Sequence, residues 1–227
     1  MFGENQFVVS VGYLHDKGGA PYWGPLGPEE SGSVKVLRWA LTMHEQRKLV
    51  VVDSNHGRAL ARKISNPTLN SKPDLTRTFR ELSMQTDSEK LLPKVADFLA
   101  QAPSFGIFSN KKTEKLAVAH AALSQRIFTK KILTPQEERF CIHTREFKWL
   151  GEETAVVGHV RVPKPLRTPS VLPSGLEGGD LLKIDTGCGE ENGYLSAYIP
   201  LADDFLTVPM DERDFTKSYS KISINNK

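Results

Sequence analysis

The sequence predicts an α/β fold built around a largely parallel sheet. Two continuous apolar runs, FVVSVG at residues 7–12 and LVVVD at residues 49–53, are typical of buried strands. A segment with helical periodicity lies between these runs, and another follows the second run. Strands and helices that alternate along a chain favour parallel strands joined by helical crossovers.

The first half of the chain contains two predicted strand–helix units. The spacing of apolar residues predicts a helix that begins near Ser33, a suitable N-cap, and ends near Gln46. After the second strand, SNHG at residues 54–57 predicts a tight turn. Residues 59–64 then predict a helix that ends before Pro67.

The second half predicts further helices and four more strands. Pro93 is placed in the first turn of a new helix, where proline is tolerated. LAVA at residues 116–119 and AVVG at residues 155–158 predict buried strands. Residues 181–185 and 194–201 flank a glycine-rich turn and predict a hairpin.

One segment, Tyr13–Ser33, is rich in glycine and proline and predicts a long irregular loop. Loops of this length are often functional. Tyr22 and Trp23 make the loop a candidate contact surface for a protein partner, because aromatic residues are enriched at interface cores. Packing of the loop over an exposed sheet edge is the alternative.

Length and composition favour a single soluble domain. The 227 residues are 39% hydrophobic and 25% charged, which is ordinary for a globular protein. We expect a domain over residues 1–208 and a charged, peripheral C-terminal tail over residues 209–227. A formal net charge of +3 does not imply a nucleic-acid partner, and no apolar run is long enough to span a membrane.

Two cysteines, Cys141 and Cys188, lie far apart and exclude a disulfide framework or a structural zinc ribbon. The N-terminus has no basic region ahead of its apolar run, so a signal peptide is not expected. Together these features predict a cytoplasmic protein in a reducing compartment.

Polar side chains follow three of the predicted strands. Asn55 and His56 come after the second strand, His120 follows LAVA, and His159 follows AVVG. Ligands of open α/β sheets bind outside the carboxyl ends of strands. Each histidine alone fits a structural role, but the set of imidazoles and an amide suggests a site for Mn, Fe or Zn.

Four segments resemble the motifs of the phosphoprotein-phosphatase-type (calcineurin-like) metallophosphoesterases. The segments are SVGYLHDKG with the later SVKVLR, LVVVDSNHGRALARKI, FLAQAPSF with KLAVAHAAL, and AVVGHVRVPKP with LLKIDTGCGEENGYLSAYIP. The resemblance covers about residues 7–201, and its last motif is the most specific. The sequence is most similar to the bacterial and phage branch of lambda-type phosphatases, diadenosine tetraphosphatases and polynucleotide phosphatases.

The resemblance implies a β-sandwich flanked by helices and a two-metal phosphatase site. By position, Asn55, His120 and His159 correspond to ligands of one metal, and His56 corresponds to the general acid that protonates the leaving group. Two metals would polarise the phosphoryl group and generate the attacking hydroxide. Arg139 and Arg145 are candidates for phosphate contacts.

The sequence also departs from the family pattern. It starts at the second motif, so we expect the first strand and its Asp-x-His motif to be missing. Tyr13 replaces the bridging Asp, and Lys17 replaces the phosphate-binding Arg without its bidentate fork. Asp16 is retained, but the family uses it as a supporting carboxylate. A phenol is a poor bridging ligand at neutral pH, so the site is expected to hold one divalent metal or none.

These observations leave two principal hypotheses. The first is a degenerate metallophosphoesterase fold, catalytically impaired and kept as a binding or structural module. The alternative is an active metal-dependent phosphatase, acting on phosphomonoesters, nucleotides or phosphoproteins, with an altered or single-metal site. A shortened chain whose upstream piece is separate is a third possibility, but it does not explain Tyr13.

Overall fold

The computed structural model describes residues 8–11, 32–70, 72–73, 75–109, 115–128, 130, 132–172, 174–188 and 193–209. The predicted Tyr13–Ser33 loop lies outside the described residues up to position 31, as does the tail over residues 210–227. The strands are β1 (Val8–Ser10), β2 (Leu49–Val51), β3 (Phe105–Phe108), β4 (Leu116–Ala119), β5 (Thr154–Val157), β6 (Leu166–Thr168), β7 (Leu181–Lys183), β8 (Tyr194–Ile199) and β9 (Asp204–Pro209). The helices are α1 (Gly32–Glu45), α2 (Asn55–Ser65), α3 (Thr76–Ser83), α4 (Ser88–Ala100), α5 (Gln125–Phe128) and α6 (Pro135–His143).

Strands β1 and β2 pair in parallel, with Val8 opposite Leu49, and the helix α1 connects them. One apolar cluster joins β2 to the four helices α1 to α4. Its fully buried side chains include Leu37, Leu60 and Leu82, which lie on α1, α2 and α3. The first strand–helix unit therefore has the parallel arrangement that the sequence predicts.

The larger sheet has five strands in the order β3-β4-β5-β7-β6. Its three central strands, β4, β5 and β7, run parallel, and the two edge strands are antiparallel to their neighbours. The central strands carry the continuous apolar runs that parallel strands need when both faces are covered. The predicted mixed α/β class is confirmed.

A second apolar cluster packs the β1–β2 pair against the five-stranded sheet. It contains Val52, Val118, Val156 and Leu182, with Val9 and Val11 from the β1 side packed against them. The opposite face of the five-stranded sheet packs under Trp149 and its aromatic neighbours. The ends of β2, β4 and β5 therefore meet at one place. A complete β-sandwich that lacks only its first strand stays a prediction.

The predicted hairpin of residues 181–185 and 194–201 is wrong. Strand β7 instead pairs with β5 and β6, because Leu181 and Leu182 are buried in the central sheet. Strand β8 pairs with β9 at residues 204–209 in a separate two-stranded sheet. The sequence pattern showed two strands and a turn, but it could not show that each strand has another partner.

Two local predictions also need correction. Pro93 lies inside α4 and not in the first turn of a helix, because α4 begins at Ser88. Residues 134–153 are charged and lack a clear apolar period, which predicts irregular structure, but they contain α6, whose start is fixed by a capping box of Thr134 and Glu137. The domain boundary at residue 208 stays a prediction. In the described part of the chain, no helix has the length and apolarity that a bilayer crossing requires.

Candidate functional site

The helix α2 places the Asn55 and His56 side chains directly after β2. Ser54 is its N-cap, and the Ser54 Oγ accepts a hydrogen bond of 2.9 Å from the Gly57 amide. A Cβ atom at Gly57 would lie 3.0 Å from that Oγ, so glycine leaves room for the cap. The segment predicted as a tight turn is therefore the first turn of a helix.

The parallel pair β4 and β5 brings His120 and His159 to the same sheet edge. Leu116 pairs with Thr154 at the start of this register, and the Gly158 amide donates to the His120 carbonyl at 2.8 Å where the strands end. His159 has a φ of 65°, in the left-handed region that non-glycine residues seldom adopt. Such backbone strain often accompanies functional side chains.

Asn55, His120 and His159 lie close together. The Asn55 Oδ1 is 2.9 Å from the His120 Nε2, and the ring centroids of His120 and His159 are 4.9 Å apart in an edge-on arrangement. Three chain segments that are separate in the sequence thus converge at the carboxyl ends of β2, β4 and β5. The structure brings the three residues together; their roles as metal ligands stay predictions.

The His120 ring is neutral and its tautomer is fixed. Burial, the largest cause, and the neighbouring histidines together lower the pKa of His120 to about 3, and the hydrogen bond that the ring donates to the Val11 carbonyl opposes this shift. The Nδ1 atom is 2.6 Å from the Val11 carbonyl oxygen, which can only accept. The proton of the neutral ring is therefore on Nδ1, and Nε2 carries a lone pair.

Two lone pairs consequently face each other between His120 and Asn55. The His120 Nε2 accepts, and the Asn55 Oδ1 as placed is also an acceptor, at a separation of only 2.9 Å. A cation between the two atoms would remove this repulsion. The alternative is an amide turned by 180°, whose NH2 group would donate to Nε2.

The donor set fits a borderline divalent metal. Imidazole nitrogen and amide oxygen are suitable ligands for Mn, Fe and Zn. Ligand bonds of roughly 2.1 Å at right angles place neighbouring donor atoms about 3 Å apart, close to the separation seen here. Among the described residues, no group of three His, Cys, Asp or Glu side chains could hold a metal, and the proposed set differs in that it includes the Asn55 amide.

His56 follows Asn55 in the first turn of α2 and is buried. Its charge acts on His120, which places the two rings in one electrostatic neighbourhood. A helix N-terminus favours negative charge beside it. This location suits the predicted proton donor to a departing oxygen, although that role stays a prediction.

An ion-pair network that the sequence analysis missed supports α2. Arg58 contacts the buried Asp53 through two guanidinium nitrogens, and it also donates to Glu138 Oε2 at 3.2 Å. Burial raises the pKa of Asp53, an effect that the Arg58 guanidinium opposes. The sequence spacing of Asp53 and Arg58 could have indicated their ion pair. Glu138 could not have been found in this way, because it is 80 residues away from Arg58 in sequence.

The helix α6 holds the chain after His120. The Cys141 carbonyl accepts from the Ala121 amide at 2.7 Å, and Cys141 itself is buried. Burial raises the pKa of the Cys141 thiol to about 12, so this side chain is an inert packing group. A role as reactive nucleophile is therefore not available to it.

The predicted phosphate contacts are only in part described. Arg139 is exposed on α6, and its charge acts on His143 of the same helix. Arg145 is exposed just after that helix. Asp16 and Lys17, like Tyr13, lie outside the described residues.

Glycine is required at one loop near the site. Gly187 follows the IDT segment, has a φ of 78°, and the Arg161 side chain lies over it. A Cβ atom there would be 2.6 Å from the Arg161 Nε. The close packing holds the loop after β7 against the segment that follows His159.

Comparison with known proteins finds a similar fold in a solved structure. No protein-family model and no curated protein matches the sequence. The crystal structure of a candidate diadenosine tetraphosphatase matches with a TM-score of 0.54 and 21% identity, over 89% of this chain and 80% of that chain. A hypothetical protein from Pyrococcus horikoshii OT3 matches with a TM-score of 0.38 and 9% identity, over 77% and 68%. At 21% identity, the likeness to the first of these structures shows the fold alone.

Proposed function

We propose that this chain binds one divalent cation with Asn55, His120 and His159 and holds a phosphate group beside it, with impaired hydrolysis. The observation that carries the proposal is the 2.9 Å approach of the His120 Nε2 to the Asn55 Oδ1, with the His159 ring beside them. A metal requires neutral imidazole from its histidine ligands, and the His120 Nε2 carries such a lone pair. The phosphoesterase-like fold provides the context.

Each residue around the proposed cation would have its own role in phosphate binding and hydrolysis. A divalent cation held here would act as a Lewis acid on a phosphoryl oxygen. The Val11 carbonyl orients the His120 ring by accepting from Nδ1, as outer partners of metal-bound histidines commonly do. His56 would lie beside the bound ester and supply a proton to its leaving oxygen.

We propose impaired hydrolysis because the segment SVGYLHDKG departs from the family pattern at two positions. Tyr13 stands where the resembling family has a bridging carboxylate, and Lys17 stands where it has a bidentate arginine. Without a bridging carboxylate, a second cation has no anionic oxygen to share with the first. We therefore expect one cation per chain. The Tyr13–Ser33 segment stays a predicted surface for a protein partner.

Isothermal titration with Mn²⁺ or Zn²⁺ after EDTA treatment tests cation binding. We expect one equivalent to bind the intact chain, and Asn55→Ala or His159→Ala to weaken binding at least tenfold. Asn55→Asp is the discriminating variant, because a carboxylate cannot donate to the His120 Nε2. If a cation belongs there, this variant binds it as well or better.

The turned-amide alternative predicts a different result for Asn55→Asp. That variant would then be destabilised equally with and without metal, and Asn55→Ala would leave the titration unchanged. Lys35→Gln on the exposed face of α1 is the control for nonspecific charge effects. Absence of saturable binding in the intact chain would contradict the proposal.

Active hydrolysis is the second candidate function, and the position of His56 favours it. The test is p-nitrophenyl phosphate turnover on a Mn²⁺-loaded preparation, with His56→Ala alongside. The impaired-site proposal expects no turnover that His56→Ala reduces. Metal-dependent turnover that falls about 100-fold or more in His56→Ala would establish the active alternative, since general acids contribute about 10²–10⁴-fold.

A further inference from the structure

A groove of about 230 Å³ opens beside Asn55, between α2, the segment that follows it and the end of α6. Its lining is largely basic or amide-bearing. The lining side chains are Asn55, Arg58, Ala59, Arg62, Leu69, Asn70, Lys72 and His143. We call this surface the basic groove. Because Asn55 belongs both to the groove and to the proposed cation site, the two adjoin.

The positive charge of the groove is only partly neutralised. Arg58 is occupied by Asp53 and Glu138, as described above. Arg62 and Lys72 are both exposed, and neither has an ion-pair partner in the described ranges of the chain. Two cationic side chains thus line an open cavity without a carboxylate between them.

The pKa of His143 also reflects the positive charge around the groove. Partial burial lowers the pKa of His143, and the charges of Arg139, Arg58 and Arg62 lower it further. Of these three guanidinium groups, those of Arg58 and Arg62 line the groove itself. Asn55 and Asn70 add amide groups that can donate hydrogen bonds.

We propose that the basic groove binds a phosphate group, distinct from the one held at the cation site, in a ligand that carries at least two phosphates. Drug-sized ligands occupy roughly 300–1,000 Å³, so the groove has room for a small charged group rather than a whole ligand. Guanidinium and ammonium groups match phosphate in charge and hydrogen bonding. The assignment of the first phosphate rests on the proposed function, but phosphate binding in the groove does not.

The test is an NMR titration of the metal-free protein with inorganic phosphate and with tripolyphosphate, in EDTA. We expect the backbone amides of Leu69, Asn70 and Lys72 to shift and saturate. The double variant Arg62→Gln with Lys72→Gln is expected to weaken the binding of both anions by at least tenfold. Arg80→Gln with Lys35→Gln is the matched control, because these residues are exposed on α3 and α1 and do not line the groove.

A second arm separates the groove from the cation site. His159→Ala and the groove double variant, Arg62→Gln with Lys72→Gln, are titrated with Mn²⁺ as well. We expect the groove variant to keep its cation affinity while it loses phosphate, whereas His159→Ala loses the cation and keeps groove phosphate binding.

Further, tripolyphosphate should bind the Mn²⁺-loaded protein at least tenfold more tightly than inorganic phosphate, because it can engage both places at once. The proposal is overturned if the groove double variant binds phosphate like its control, or if the shifting amides lie outside the groove. Equal affinity of both anions for the loaded protein would overturn the two-phosphate ligand. Failure of cation binding alone would overturn only the proposed function.

Discussion

The strand-end site and the basic groove share Asn55 but are built in opposite ways. The strand-end site, formed by Asn55, His120 and His159, is centred on a neutral ring: His120 is fully buried, and its orientation is fixed by the Val11 carbonyl. The groove is open and cationic: Arg62 and Lys72 are exposed side chains on α2 and the segment after it. Burial removes charge and fixes geometry, whereas exposure preserves charge and leaves side chains adjustable.

The difference explains why the two places suit different ligands. A cation gains most from neutral lone pairs that are already aligned, because no ligand has to be ordered on binding. An oxyanion gains most from charged donors that can adapt to it. The same short stretch of α2 thus contributes to both kinds of recognition.

The largest expected difference between the two regions is in the dependence of stability on pH. In the metal-free protein, His120 has a pKa of about 3, whereas its unfolded value is 6.5. Between these values the unfolded chain binds a proton that the folded chain does not, so stability falls as the pH drops through this window. The loss from His120 is about 5 kcal/mol over the whole range, of which about 3 kcal/mol fall between pH 7 and 4.

Urea unfolding at several pH values between 7 and 4 measures this loss. His120→Gln is expected to flatten the profile relative to the intact chain, whereas Arg62→Gln is expected to leave both profile and stability within about 0.5 kcal/mol. If His120→Gln does not fold, the NMR titration of the His120 ring in the intact chain decides. A ring that becomes protonated near pH 6.5 would contradict the prediction.

A smaller effect on the free energy of unfolding is expected at Arg58, which pairs with one buried and one more exposed carboxylate. Asp53→Asn removes its buried carboxylate partner and is expected to cost about 1–2 kcal/mol of unfolding free energy. Desolvation of Asp53 offsets part of the loss, as its raised pKa indicates. Glu138→Gln removes the exposed partner and is expected to cost less than about 0.5 kcal/mol.

Thermal or urea unfolding of the two variants at pH 7 compares these costs. Their ratio reports how far burial, and not the number of ion pairs, determines the strength of this network. Equal costs for Asp53→Asn and Glu138→Gln would show that the Arg58 environment is uniformly exposed, and the contrast between the two regions would then be wrong.

Much of the fold followed from local patterns. The apolar runs that form β2, β4 and β5 predicted buried strands, and the polar residues after them predicted a ligand site outside the strand ends. Pairing partners were harder, because strands such as β7 and β8 carry similar signals whichever neighbour they find. The hairpin prediction failed for this reason.

The candidate site shows the same division. The sequence by itself determined which side chains could serve there: an amide and two imidazoles at strand ends, with His56 next to Asn55. Only the tertiary structure decided that the His120 Nδ1 meets the Val11 carbonyl and that Nε2 therefore faces Asn55. It also brought Lys72, Arg62 and His143 around one groove. Tautomers, burial and charge balance depend on neighbours distant in sequence, so no local pattern encodes them.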